Sequence, residues 1–206
     1  TYLLPAVQCF IWPIRITKID MKKSLIKSLL FFAGLALCIA GFSQTYIPVD
    51  NAAAVKFSIK NLGVSTTGNF KGLKGSIEFN AINPAASSFT VSVDAATINT
   101  GINARDNHLK KEEYFDVNKY PSITFASTKI EKSATQGAFI INGNISIKGV
   151  SKSISFPFTA VEQNGGFLFS GSFKLNRRDF KVGGNSITLS DNLIVSLEVF
   201  AKKINE

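Results

Sequence analysis

From Thr45 onward, apolar residues recur at every second position of the chain. Phe139, Ile141, Gly143, Ile145 and Ile147 alternate with Asn142, Asn144, Ser146 and Lys148. Successive side chains of a strand point to opposite faces, so this spacing gathers the apolar set on one face. The same pattern marks Val55-Phe57-Ile59, Ile77-Phe79, Phe89-Val91-Val93, Ile123-Phe125, Ile154-Phe156-Phe158, Phe167 through Leu175, and Leu189 through Val199. These runs predict about eight strands. Between them stand Lys71-Gly72, Asn83-Pro84, Gln136-Gly137, Lys148-Gly149, Asn164-Gly165-Gly166 and Gly183-Gly184-Asn185, residues suited to tight turns. Short connections favour antiparallel neighbours, and the clearest hairpin falls at Glu162 to Gly166.

One stretch departs from the alternation. Thr100 to Asp116 is polar and carries the only histidine of the chain, His108. Thr100 or Asn103 is placed to cap a helix, Asp106 stands four residues before Lys110, and Ile102 and Leu109 fall on one helical face. The expected order is about three strands, one short helix near residues 102–115, then five strands. That order predicts an all-β fold, a single antiparallel eight-stranded barrel with the helix at one end.

The front of the chain reads differently. Residues 1–20 precede Met21, the only methionine, and look like sequence upstream of a true start. Residues 21–43 have the order of a signal peptide, with Lys22, Lys23 and Lys27 ahead of the apolar run Leu29 to Ala40. Gly41-Phe42-Ser43 places small residues for cleavage before Gln44, so a periplasmic or secreted location is expected, with residues 44–206 as one domain. Leu35-Ala36-Leu37-Cys38 only partly matches a lipoprotein signal, because Leu37 stands where a small residue is needed.

Charge and cysteine content narrow the chemistry. The chain is formally +9, of which about +5 belongs to residues 44–206, scattered among strand ends and turns. No basic run of the kind that binds nucleic acid occurs, and edge protection accounts for the lysines. Cys9 and Cys38 both precede Gln44, so no thiol is available to the domain for a disulfide or a metal. With one histidine and no cysteine, no metal site is expected. No Gly-x-Ser-x-Gly elbow accompanies His108, so no catalytic residue is assigned.

The residues leave two readings of the interior and of the polar stretch. The many phenylalanines on alternating positions either fill a core or line a ligand cavity. Arg105 and Asp106 either fasten the helix to the barrel rim, or Arg105 and His108 offer donors to a head group at the mouth of an apolar pocket. Arg177-Arg178-Asp179 forms a second polar spot near a strand end.

Several separated segments carry a family resemblance: Val55-Lys56-Phe57-Ser58-Ile59-Lys60-Asn61-Leu62-Gly63, Gly68-Asn69-Phe70, Arg105-Asp106-Asn107-His108-Leu109, Tyr120-Pro121-Ser122-Ile123-Thr124-Phe125, Gly143 through Lys152, and Asn176-Arg177-Arg178-Asp179-Phe180. In order and spacing across Thr45 to Lys203 the chain resembles the YceI-like family. The resemblance implies an extended, lipocalin-like barrel that holds a long-chain amphipathic lipid, a polyisoprenoid or fatty amide or acid, and needs no cofactor. On that reading Phe57, Phe79, Phe89, Phe125, Phe139, Phe156 and Phe173 form the apolar wall. Arg105, Asp106, His108 and Arg178 form the polar mouth. Partners implied are the lipid itself, transient membrane contact and a second copy in a homodimer. Asn61 stands where family members often carry histidine, so this position donates and accepts hydrogen bonds without becoming cationic. The competing functions are a protein-interaction module with a side-chain-filled barrel, and an enzyme acting on a lipid-like substrate through His108.

Overall fold

The computed structural model describes residues 43–204, so the expected upstream and signal segments lie outside the described residues except for Ser43. Nine strands follow: β1 (Gln44–Pro48), β2 (Val55–Asn61), β3 (Val64–Phe79), β4 (Ser88–Asn99), β5 (Ser122–Lys132), β6 (Ala138–Ile147), β7 (Val150–Gln163), β8 (Gly166–Asn176) and β9 (Leu189–Lys203). One α-helix, α1 (Asn103–Leu109), separates β4 from β5. Strands β2 to β9 pair antiparallel in chain order, and the β2–β9 pairing closes the barrel. Closure leaves the eight-stranded barrel without a free sheet edge.

β1 and β2 share one strand position. β1 pairs with β3 over Ile77–Phe79 and with β9 over Ala201–Lys203, whereas β2 pairs with β3 from Val64 to Phe70 and with β9 up to Leu197. In the gap, the Asp50 carboxylate accepts from the backbone N–H groups of Gly72 and Leu73, both at 3.0 Å. A side chain thus supplies the acceptors that an unbroken strand would have given.

The structure departs from the sequence pattern in three places here. Gln44–Pro48 was not among the predicted strands, and Ile77-Phe79 is the end of the 16-residue β3, not a strand by itself. Lys71-Gly72 is not a turn between strands but a bulge inside β3, where the register to β4 shifts. Gly72 and Gly75 both have positive φ there, and a Cβ on Gly75 would lie 2.1 Å from the Thr90 carbonyl oxygen. Only glycine fits that approach.

Three two-residue hairpins have both central residues at positive φ: Leu62-Gly63, Lys148-Gly149 and Asn164-Gly165. This left-handed pair matches the twist of the strands it joins. Inside the barrel, one end is filled by aromatic rings. Phe79, only 2% exposed, lies with its ring centroid 5.2 to 6.2 Å from those of Phe89, Phe139, Phe158, Phe167 and Phe169. Most of these contacts are edge-to-face, the arrangement that the ring quadrupoles favour.

At the opposite end lies α1. Its N-cap position is Ile102, which gives no side-chain cap, so neither Thr100 nor Asn103 has the expected capping role. Instead Asp106, 7% exposed, accepts from the Thr100 backbone N–H at 2.9 Å and from the Thr100 hydroxyl. Leu109 packs on the core while Ile102 is 53% exposed, so the expected shared apolar face is reduced to Leu109.

Candidate functional site

Between the aromatic plug and α1 the barrel is hollow. A wider cavity of about 370 Å³ adjoins a narrower one of about 130 Å³ that runs toward the plug. Val55, Val93, Ile123, Ile145 and Val195 line both and mark their junction. Each occupies an inward position of its strand's alternation.

Glycines widen the bore beneath the rings. Gly68 and Gly143 are buried, and a Cβ on either would lie within 2.5 Å of a ring atom, Phe57 Cζ for Gly68 and Phe125 Cζ for Gly143. Each phenylalanine therefore lies flat across a glycine of the adjacent strand, a cross-strand fit that a larger residue would prevent.

The expected wall residues divide in two. Phe57 lines the wider cavity, and Phe89, Phe125, Phe156 and Phe173 line the narrower one. Phe156 and Phe173 stack at 4.5 Å with 27° between their planes. Phe79 and Phe139 also point inward, but their place is the plug, where Phe139 stacks on Phe158 at 5.3 Å. Alternation fixes the face a side chain takes and carries no information about depth along the barrel.

The expected mouth residues divide as well. Arg105 and His108 line the wider cavity. The Arg105 guanidinium is half-buried and donates from Nε to the Thr100 hydroxyl and from Nη2 to the Thr100 carbonyl, both at 2.7 Å. His108 lies edge-on to Tyr114, with centroids 4.9 Å apart, and its Nε2 stands 4.0 Å from the Glu113 carboxylate. Asp106 is turned to Thr100 and serves the helix connection. Arg178 is exposed and donates to Asn185 in the following loop, away from the cavity.

Its neighbour Arg177 takes the inward place. This side chain is 5% exposed, lines the wider cavity, and donates to the carbonyls of Ser190 (3.0 Å), Val182 (3.0 Å) and Gly184 (2.9 Å) and to Asp191 (2.7 Å). The signal was present in the sequence: Phe169, Gly171, Phe173 and Leu175 alternate inward, and two residues further is Arg177. Strand parity continues into the 3-10 turn Arg177–Phe180.

The resulting wall is apolar except at the α1 end. There Asn61, Thr66, Thr100, Arg105, His108, Tyr114, Arg177, Ser186 and Thr188 bring donors and hydroxyls together, with no carboxylate among the lining residues. Arg177 is held by Asp191 and by backbone carbonyls and Arg105 by Thr100, and both line the wider cavity together with His108 and Lys56.

A closed antiparallel barrel with an apolar bore and a polar mouth has the architecture of a small-molecule binding barrel. The YceI-like domain model matches residues 46–201. Protein YceI of Shigella flexneri is 30% identical over 197 residues, covering 89% of this chain and 100% of that protein. The chain belongs to the YceI-like family. Among solved structures, the Campylobacter jejuni YCEI protein is 32% identical, with a TM-score of 0.60 over 68% of this chain and 85% of that one. A polyisoprenoid binding domain from Saccharophagus degradans shares the fold at 14% identity, with a TM-score of 0.61 over 79% of this chain and 99% of that one.

Proposed function

We propose that this protein is a non-catalytic carrier that holds an isoprenoid-like or fatty chain in its bore, with the head group at the Arg105–His108 end. The observation that carries the reading is the continuous apolar wall from Val55 and Ile123 to Phe156 and Phe173 around an open volume. A barrel built only for stability would fill that volume with its own side chains, since interiors pack densely. A chain entering it is stabilised by about 0.8 kcal/mol per buried methylene. Support also comes from the Saccharophagus degradans domain of the same fold, described as polyisoprenoid binding.

The mouth suits a head group with acceptor oxygens, because Arg105 and His108 donate and no lining carboxylate repels it. Leu62, Val64 and Ile187, exposed by 75, 69 and 104%, stand beside the lining residues Asn61, Ser186 and Thr188. The Leu62 N–H donates to the Thr188 carbonyl at 2.9 Å, joining hairpin tip and loop into one apolar rim. Such a rim supports brief contact with a membrane while the chain is exchanged. A signal peptide ending before Gln44 would place this exchange in the periplasm or outside the cell.

Titration with a fluorescent lipid analogue tests the reading. Saturable binding is expected from the parent protein, and Ile123→Trp, which fills the junction of the two cavities, abolishes it with the barrel's circular dichroism unchanged. Equal binding by parent and variant contradicts it.

A further inference from the structure

We infer that this barrel is a length selector: it takes apolar chains of about 15 to 20 carbons and rejects longer ones, with the Phe79–Phe139 plug as the stop. The inference rests on the carrier reading above and adds the class of chain that the site accepts.

Volume sets the upper bound. An apolar cavity of about 150 Å³ accommodates benzene, or about 25 Å³ per carbon. At that density, 370 and 130 Å³ hold about twenty carbons. A longer chain would have to leave through one end. At the α1 end the excess would meet Arg105, His108 and Tyr114, where the head group also has to fit.

The other end is shut. Phe89, Phe158 and Phe169 line the blind end of the narrower cavity and are also the ring neighbours of Phe79. Behind Phe79 lies Phe167, at 5.2 Å, and behind Phe167 lies Tyr46 at 5.3 Å, edge to face. Tyr46, Phe79, Phe89, Phe139, Phe158 and Phe169 are each less than 9% exposed. These rings pack against one another between the narrower cavity and a separate pocket lined by Tyr46, Phe79 and Phe167, and β1, paired with β3 and β9, forms the barrel wall beside them. Phe79 and Phe139 are therefore specificity-determining residues, acting through the rings that close the bore.

Displacement of a bound fluorescent analogue from the full chain by all-trans prenyl alcohols of 10, 15, 20, 30 and 40 carbons tests this. Each carbon added inside the bore tightens binding by up to about fourfold. Affinity should rise to 15 or 20 carbons and be at least about tenfold weaker at 40 than at 20. Phe79→Ala should move the optimum to longer chains, and Phe139→Leu, a milder change, should do so in part if the first variant fails to fold. A 40-carbon alcohol that binds as tightly as the 20-carbon one overturns length selection and leaves the carrier reading standing. An optimum unmoved in the folded variant overturns the role of the plug. Absence of binding at every length overturns the carrier reading itself.

Discussion

Nη2 of Arg177 donates to the carboxylate of Asp191 at 2.7 Å, a buried cation held by a partner that is 44% exposed. The pair joins the 3-10 turn after β8 to the start of β9, and the Arg177 carbonyl contacts fasten the loop between them. The two members should not be equivalent. Removing the guanidinium in Arg177→Met strands several carbonyls and should cost about 3 kcal/mol or more. Asp191→Asn keeps an acceptor at a partly solvated site and should cost about 1 kcal/mol or less. Urea denaturation of the two variants measures the difference, and equal losses would contradict the assignment.

Asp106 is the helix anchor. Asp106→Ala leaves the Thr100 N–H without its acceptor near a buried site, at a cost of about 1 to 3 kcal/mol. Asp106→Asn retains a carbonyl acceptor and should recover most of that loss in thermal unfolding. Binding of a chain should stay within about twofold for the folded Asn variant, because Asp106 lines neither cavity.

Gly143 should tolerate substitution less well than Gly68. A Cβ at Gly143 meets the Ala126 carbonyl oxygen at 2.5 Å, a backbone atom that cannot turn away, as well as the Phe125 ring. At Gly68 the nearest atoms belong to the Phe57 ring, with the Asn99 oxygen at 2.9 Å. Gly68→Ala is expected to cost about 1 to 2 kcal/mol and Gly143→Ala more, since overpacking displaces whatever can move. Chemical denaturation curves of both variants check the order.

The phenol of Tyr46 is held above its ordinary range, chiefly by burial and further by Glu162. Below the unfolded pKa of about 10 both states keep the proton and pH has no effect through this group. Above it the unfolded phenol ionises while the folded one retains its proton, so stability falls as pH rises. Tyr46→Phe should flatten that alkaline fall in the urea midpoint, and an unchanged slope would remove Tyr46 as its cause.

The fold was legible because one residue period governs nearly all of it. Alternation grouped the residues that share a face, among them Phe57, Phe89, Phe125, Phe156 and Phe173, and the barrel turns that face inward. It could not tell that Phe79 and Phe139 meet at one end, since depth depends on how far neighbouring strands are staggered. Five residues ending in proline make β1 a weak strand signal beside the 16-residue β3. Leu62-Gly63 escaped as a hairpin because leucine rarely takes positive φ. Arg177, not Arg178, faces inward because the parity of β8 continues into the turn that follows it.

Mass spectrometry of the organic extract from folded, natively expressed protein tests the carrier reading most directly. An apolar chain of about 15 to 20 carbons at near one molecule per barrel is expected. A lipid-free extract from protein whose barrel is intact by circular dichroism would contradict it.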